Sequence, residues 1–139
     1  MARAAAEVSQ PTGFCTVVNC MDGRVQLPVI EYLKRRFGVG YVDTVTEPGP
    51  NAILADGDDA SAVDSIMRRV GLSLECHRSV AVAVVGHHGC AGNPAPPERQ
   101  RDQTLAAVRY LEAQFPGVPV IGLWVSAAWE VSEIAPRIR

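Results

Sequence analysis

Two short segments of this chain carry residue types suited to metal chemistry: Cys20-Met21-Asp22-Gly23-Arg24, and Gly86-His87-His88-Gly89-Cys90-Ala91-Gly92-Asn93. Cys20, His87 and Cys90 offer two thiolates and one imidazole, a set that suits tetrahedral Zn2+ and leaves a fourth position for water or another ligand. The His-x-x-Cys spacing lets one tight loop aim two ligands at a single ion. An open fourth position is the pattern of catalytic zinc, whereas four protein ligands make a structural site. Two thiolates neutralise the ion, so it acidifies a bound water less than zinc held by neutral histidines would. Help from neighbouring groups is then needed. Asp22 is placed to accept a hydrogen bond from such a water, with Arg24 holding the carboxylate through a charge-assisted contact. Asp22 could instead bind zinc itself and close the site. The two arrangements would be active and inactive states of one protein. Thiolate and imidazole donors make zinc the default over iron or cobalt.

These segments must be brought together by the elements around them. The chain has 139 residues and a mass of 14.9 kDa, enough for one domain with a real core. Residues 1–13 lack apolar periodicity and end in Pro11 and Gly13, the composition of a flexible or partner-bound arm ahead of a single domain over 14–139. Phe14 to Asn19 is a short β-branched apolar run, and the helical pattern after it has Pro28 near its start and Gly38 as its stop. Tyr41 to Thr46 reads as a second strand ended by the breaker Glu47-Pro48-Gly49-Pro50-Asn51. A helix capped by Asp58 or Asp59 follows, with Ala60, Val63, Ile66 and Val70 on one stripe and Gly71 as its end.

Ser79 to Gly86 is continuously apolar, as expected of a strand buried on both faces of a parallel sheet. A longer helix starts after Pro97, with Leu105, Val108, Leu111 and Phe115 facing the core, and Val118 to Val125 forms the last apolar run. The sum is an α/β, three-layer fold with a central, mainly parallel sheet of about four strands flanked by helices, joined by right-handed crossovers. In such sheets the ligand site lies beyond the carboxyl ends of the strands. Both candidate segments follow directly on a strand.

Apolar residues make up 47% of the chain and charged residues 20%, with a formal charge of −2, which argues against disorder and against nucleic acid as a partner. No apolar run is long enough for a membrane span and the start is not a signal peptide, so a cytoplasmic location is expected. Four cysteines in such a chain favour thiols or metal ligands over disulfides. The lack of a Cys-x-x-Cys argues against redox exchange. Cys15, an odd number of residues before Cys20, is expected in the core on the opposite face of the sheet. His88 is expected beside the site or facing solvent, where an imidazole can relay protons. Cys76 and His77 read as structural, Trp124 and Trp129 as packing around the last strand. Glu47 is left open between a loop charge and a group at the pocket mouth.

Cys20-x-Asp22-x-Arg24 followed by His87-x-x-Cys90, each after a strand, resembles the β-class carbonic anhydrases. The resemblance runs from Phe14 to the C-terminus in element order. It implies Cys20, His87 and Cys90 as zinc ligands and Asp22 with Arg24 as the catalytic dyad of a lyase. By that likeness zinc-bound hydroxide attacks carbon dioxide to give bicarbonate. A related branch hydrolyses carbon disulfide or carbonyl sulfide, and a non-catalytic zinc module of the same fold is a further alternative. The resemblance also implies a homodimer or dimer-based oligomer, with Gln10 the candidate to contact bicarbonate across it. The chain departs from the family pattern at Thr46-Glu47-Pro48-Gly49-Pro50-Asn51, where an Arg-Asn-Ala-Gly type segment is usual, in its short N-terminal region, at His88, and at Ala91 in place of glycine.

Overall fold

The computed structural model describes residues 11–135, so most of the arm expected over 1–13, Gln10 included, lies outside the described residues. The chain runs β1 (Phe14–Cys20), a 3-10 turn (Gly23–Val25), α1 (Gln26–Phe37), β2 (Tyr41–Glu47), α2 (Pro50–Asp56), α3 (Ala60–Cys76), β3 (Val82–His87), α4 (Pro97–Gln114), β4 (Val120–Val125) and β5 (Val131–Ile134). The sheet order is β2-β1-β3-β4-β5, with β1 to β4 parallel and β5 antiparallel to β4. The α/β class and the mainly parallel sheet are therefore as read from the sequence, with five strands among the described residues where about four were expected.

The fifth strand is a four-residue return after a turn at Ser126–Glu130, and its Val-Ser-Glu-Ile sequence forms no apolar run. Only Val131 and Ile134 bear apolar side chains there, which is why it escapes a hydropathy reading. Two helical boundaries also differ. The Pro-Gly-Pro breaker leads into α2, with Gly49 left-handed at the N-cap and Pro50 at the first helical position, where a missing N–H is harmless. Gly71 does not end α3, which continues to Cys76. A mid-helix glycine weakens a helix by about 1 kcal/mol, and burial of Val70 and Ser73 on either side holds this one in register.

Strand alternation divides the core. Val17, Ala83, Val85 and Leu123 pack under Val29 and Leu33 of α1, while Val18, Val82 and Val84 pack against Ile66 and Val70 of α3 and Leu111 of α4. Cys15 lies in the first core as expected, but Cys20 shares that core instead of facing the other way. Its departure has a local cause. Pairing of β1 with β3 ends at Val18↔Val84, so the last residues of the two strands are free to diverge. The chain then turns through Asp22 into the 3-10 segment.

From β1 the chain moves to one side of the sheet and from β3 to the other, which makes the β1/β3 junction the topological switch point. The two candidate segments open on that crevice. Among the described residues no helix is long and apolar enough to cross a membrane.

Candidate metal centre

Cys20 is the last residue of β1, His87 the last of β3, and Cys90 sits one tight turn further on; all three are buried, with 4%, 1% and 3% of their surfaces exposed. Gly89 takes a left-handed φ of 67° in that turn, where a side chain would be strained. The ligand atoms of the three residues all lie within 4.8 Å of one another. The sulfurs of Cys20 and Cys90 are 3.7 Å apart and both thiols are free. That separation is far too long for a disulfide. It matches the separation of about 3.8 Å that two Zn–S bonds of about 2.3 Å subtend at a tetrahedral angle.

His87 is oriented from its outer edge. Nδ1 bonds the carbonyl of His88 at 2.8 Å, which leaves Nε2 buried and without any hydrogen-bond partner. With the outer nitrogen donating to a carbonyl, Nε2 is a lone-pair donor with nothing to bind, a costly state unless a cation completes it. Burial alone would raise the Cys20 thiol. Contact with the His87 imidazole, the backbone N–H groups of Gly49 and Asp22, and Cys90 bring it down to about 7. Burial and the neighbouring Cys20 raise Cys90, against N–H groups of Asn93 and Gly92 that favour its thiolate. Burial would lower His87, but Cys20, the His88 carbonyl and the charge of Asp22 together raise it. The cluster as a whole calls for positive charge, and its donor set fits zinc.

Asp22 caps the 3-10 turn by accepting the Arg24 N–H at 2.9 Å. The Arg24 side chain grips the same carboxylate, with Nη2 at 2.7 Å from Oδ2 and Nε at 3.1 Å from Oδ1. These hydrogen bonds hold the Asp22 carboxyl down to about 2. The carboxylate is committed to Arg24 and is not a member of the ligand cluster. Gln26 steadies the turn by donating to the carbonyls of Cys20 and Asp22.

Trp129 completes this corner, a role its sequence does not signal. The Arg24 guanidinium lies 4.6 Å from the centre of a Trp129 ring, a cation–π contact. Trp129 adopts a left-handed φ of 61° and donates its N–H to Ser126, so the β4–β5 turn presents the indole under the dyad. Bulky residues rarely accept that backbone conformation, and such strain gathers at functional positions.

The remaining expectations separate clearly. His88 is exposed, and it acts on the site through its backbone carbonyl. Glu47 pairs with Arg69 of α3, so its charge is turned toward the helix. Its loop nevertheless serves the centre. The Gly49 N–H helps hold the Cys20 thiol down, and a Cβ at Gly49 or Gly92 would lie 2.7 Å or 2.6 Å from atoms of the facing loop. The two glycines thus let the loops after β2 and β3 close on each other. Cys15 is buried, and Cys76 and His77 lie outside the cluster.

A family described as "Putative carbonic anhydrase" matches residues 10–135. The chain belongs to this family. Two solved structures are similar to this carbonic anhydrase family member. The β-carbonic anhydrase CafA of the fungal pathogen Aspergillus fumigatus is 18% identical, with a TM-score of 0.48 over 98% of this chain and 82% of the other. One of the tetrameric β-carbonic anhydrases from the filamentous ascomycete Sordaria macrospora is 12% identical, with a TM-score of 0.49 over 99% and 86%. A search of curated proteins finds no match.

Proposed function

We propose that this carbonic anhydrase family member is a zinc-dependent lyase that reversibly hydrates carbon dioxide to bicarbonate. The observation that carries the reading is the buried Cys20–His87–Cys90 triangle, with its sulfurs 3.7 Å apart and the His87 Nε2 lacking a partner. Cys20, Cys90 and His87 Nε2 would hold the ion. Zinc, when bound, supplies the Lewis acidity that makes a nucleophile of water near neutral pH.

The chain's own residues supply orientation and charge. Arg24 keeps Asp22 ionised and fixes its two oxygens, so the carboxylate can accept a hydrogen bond from the attacking water and turn its lone pair toward carbon dioxide. Trp129 limits the positions open to the guanidinium. His88, exposed beside the loop, offers an imidazole that can pass the released proton to solvent. A single zinc domain over 14–139 and a cytoplasmic location complete the reading.

A homodimer or dimer-based oligomer is part of the proposal. Among the described residues β2 is an edge of the sheet, and Tyr41 on it and Leu72 on α3 are 53% and 61% exposed. Stopped-flow hydration of carbon dioxide by protein with confirmed stoichiometric zinc tests the activity. Rates above buffer that rise with pH are expected. A hydration rate equal to buffer, together with hydrolysis of carbon disulfide or carbonyl sulfide by the same sample, would replace the substrate. Inactivity on all three would leave a non-catalytic zinc module.

A further inference from the structure

The geometry points to Gln100 of α4 as a positioning residue for the metal centre, holding the loop that carries His87 and Cys90 in ligating form. This rests on the proposed zinc reading and extends it to a side chain outside the ligand set.

The need arises from the sheet. β1 accompanies β3 only as far as Val84, so on that side the backbone of His87 has no neighbouring strand to bond. Gln100 takes the strand's place. Its Oε1 accepts the His87 N–H at 3.2 Å and its Nε2 donates to the His87 carbonyl at 2.8 Å. A carboxamide has the donor and acceptor of a peptide group, so it can do what an adjacent strand would do. The same Nε2 reaches the carbonyls of Asn93 and Ala95 at 3.3 Å and 3.4 Å. One side chain therefore ties together both ends of the loop from His87 to Asn93.

The clamp bears on the imidazole through the His87–His88 peptide. Gln100 holds its oxygen and the carbonyl of Val125 accepts its N–H at 3.0 Å. With that peptide fixed, the next carbonyl, that of His88, is placed to receive Nδ1 and turn Nε2 toward the thiols.

The surroundings are built for this contact. Gln100 is 1% exposed, and Asn51 donates to its Oε1 while also bonding Thr104 and Asn93. Gly86 leaves the room: a Cβ there would lie 2.8 Å from Thr104 Oγ1, 2.9 Å from Asn51 Nδ2 and 3.2 Å from Gln100 Oε1.

The test measures zinc affinity of the full chain by competition with a chromophoric chelator, for wild type, Gln100→Leu, Gln100→Glu and Thr104→Val. Thermal unfolding of the metal-free proteins and visible spectra of the cobalt(II)-loaded forms accompany it. Loss of a group that orients a metal ligand lowers metal affinity about 10- to 100-fold, and that loss is expected for Gln100→Leu, with altered cobalt bands. Gln100→Glu keeps an acceptor for the His87 N–H but lacks the paired N–H donors, so it serves as the second variant should the leucine protein not fold; a loss in the same direction is expected. Thr104→Val removes a hydroxyl from the same network without touching His87, and its affinity should stay within about threefold of wild type. Wild-type affinity in the folded Gln100 variants, or equal losses in the Thr104 variant, would overturn the inference. A wild-type protein that binds no zinc would instead overturn the proposed function beneath it.

Discussion

The two ends of β1 hold similar residues in opposite circumstances. At its start, Thr16 meets a cluster of Asp43, Ser73 and His77, while its neighbour Cys15 is buried in the core under α1 and feels the Asp43 charge. At its end, Cys20 meets His87, Cys90 and Asp22. In the first cluster the polar groups satisfy one another: His77 Nδ1 bonds Asp43 at 2.6 Å, Ser73 donates to the same carboxylate at 2.7 Å, and Ser79 and Thr16 complete the chain. Phe14 stacks on the His77 ring at 4.1 Å. In the second, two thiols face an imidazole nitrogen with no partner. The thiols diverge accordingly. Burial and the Asp43 charge push Cys15 up to about 11, whereas Cys20 sits at about 7. Both ends hold cysteine, histidine and aspartate side chains, and hydrogen-bond satisfaction separates them: of the two, the second is left with a demand that a cation would meet.

The contrast is sharpest in the ligands. Cys20→Ser or Cys90→Ser should remove essentially all stoichiometric zinc and all hydration activity, as followed by metal analysis and stopped flow, while Cys76→Ser leaves both at the wild-type level. Retained zinc in Cys90→Ser would erase the distinction.

The next effect concerns the dyad. Asp22→Asn keeps the size of the side chain and loses its charge, so zinc should remain bound while kcat falls about 100-fold or more, the range of a positioned acid–base group. Trp129→Ala should keep zinc and lower kcat by a smaller factor, about tenfold on this account, by freeing Arg24. An Asp22→Asn protein with full activity would move the chemistry away from the dyad.

At the first end of β1 the expected effects are on stability alone. Asp43→Asn should destabilise the fold by about 1 kcal/mol in chemical denaturation, with zinc content unchanged. Cys15 adds a pH signature. Its thiol is raised from 9.0 to about 11 in the folded protein, so its contribution is complete below pH 9 and is lost as pH rises toward 11, where the unfolded chain gains the thiolate first. Metal-free protein should lose stability over that window, and Cys15→Ala should flatten the slope.

Much of this arrangement is readable along the chain. The apolar runs of β1, β3 and β4 announce a parallel sheet, and their strand-end placement assigns Cys20, His87 and Cys90 to one crevice on sequence grounds. What escapes is set by long-range contacts. β5 has too few apolar residues to declare itself, and α2 begins inside a Pro-Gly-Pro segment that reads as a stop. Gly71 misleads because neighbouring packing outweighs its local preference. Trp129 and Gln100 look like ordinary packing and surface-helix residues in sequence; one gains its role from a β-turn aimed at Arg24, the other from the early end of β1–β3 pairing. Glu47, ambiguous in sequence, is decided by Arg69, which lies on α3 and nowhere near it in the chain.

X-ray absorption at the zinc edge of the purified 139-residue chain tests the central claim most directly. One zinc per chain is expected, with two sulfur neighbours at about 2.3 Å and two nitrogen or oxygen neighbours at about 2.0–2.2 Å, and loss of the metal in Cys90→Ser. Absence of stoichiometric zinc, or a shell without two sulfurs, would contradict it.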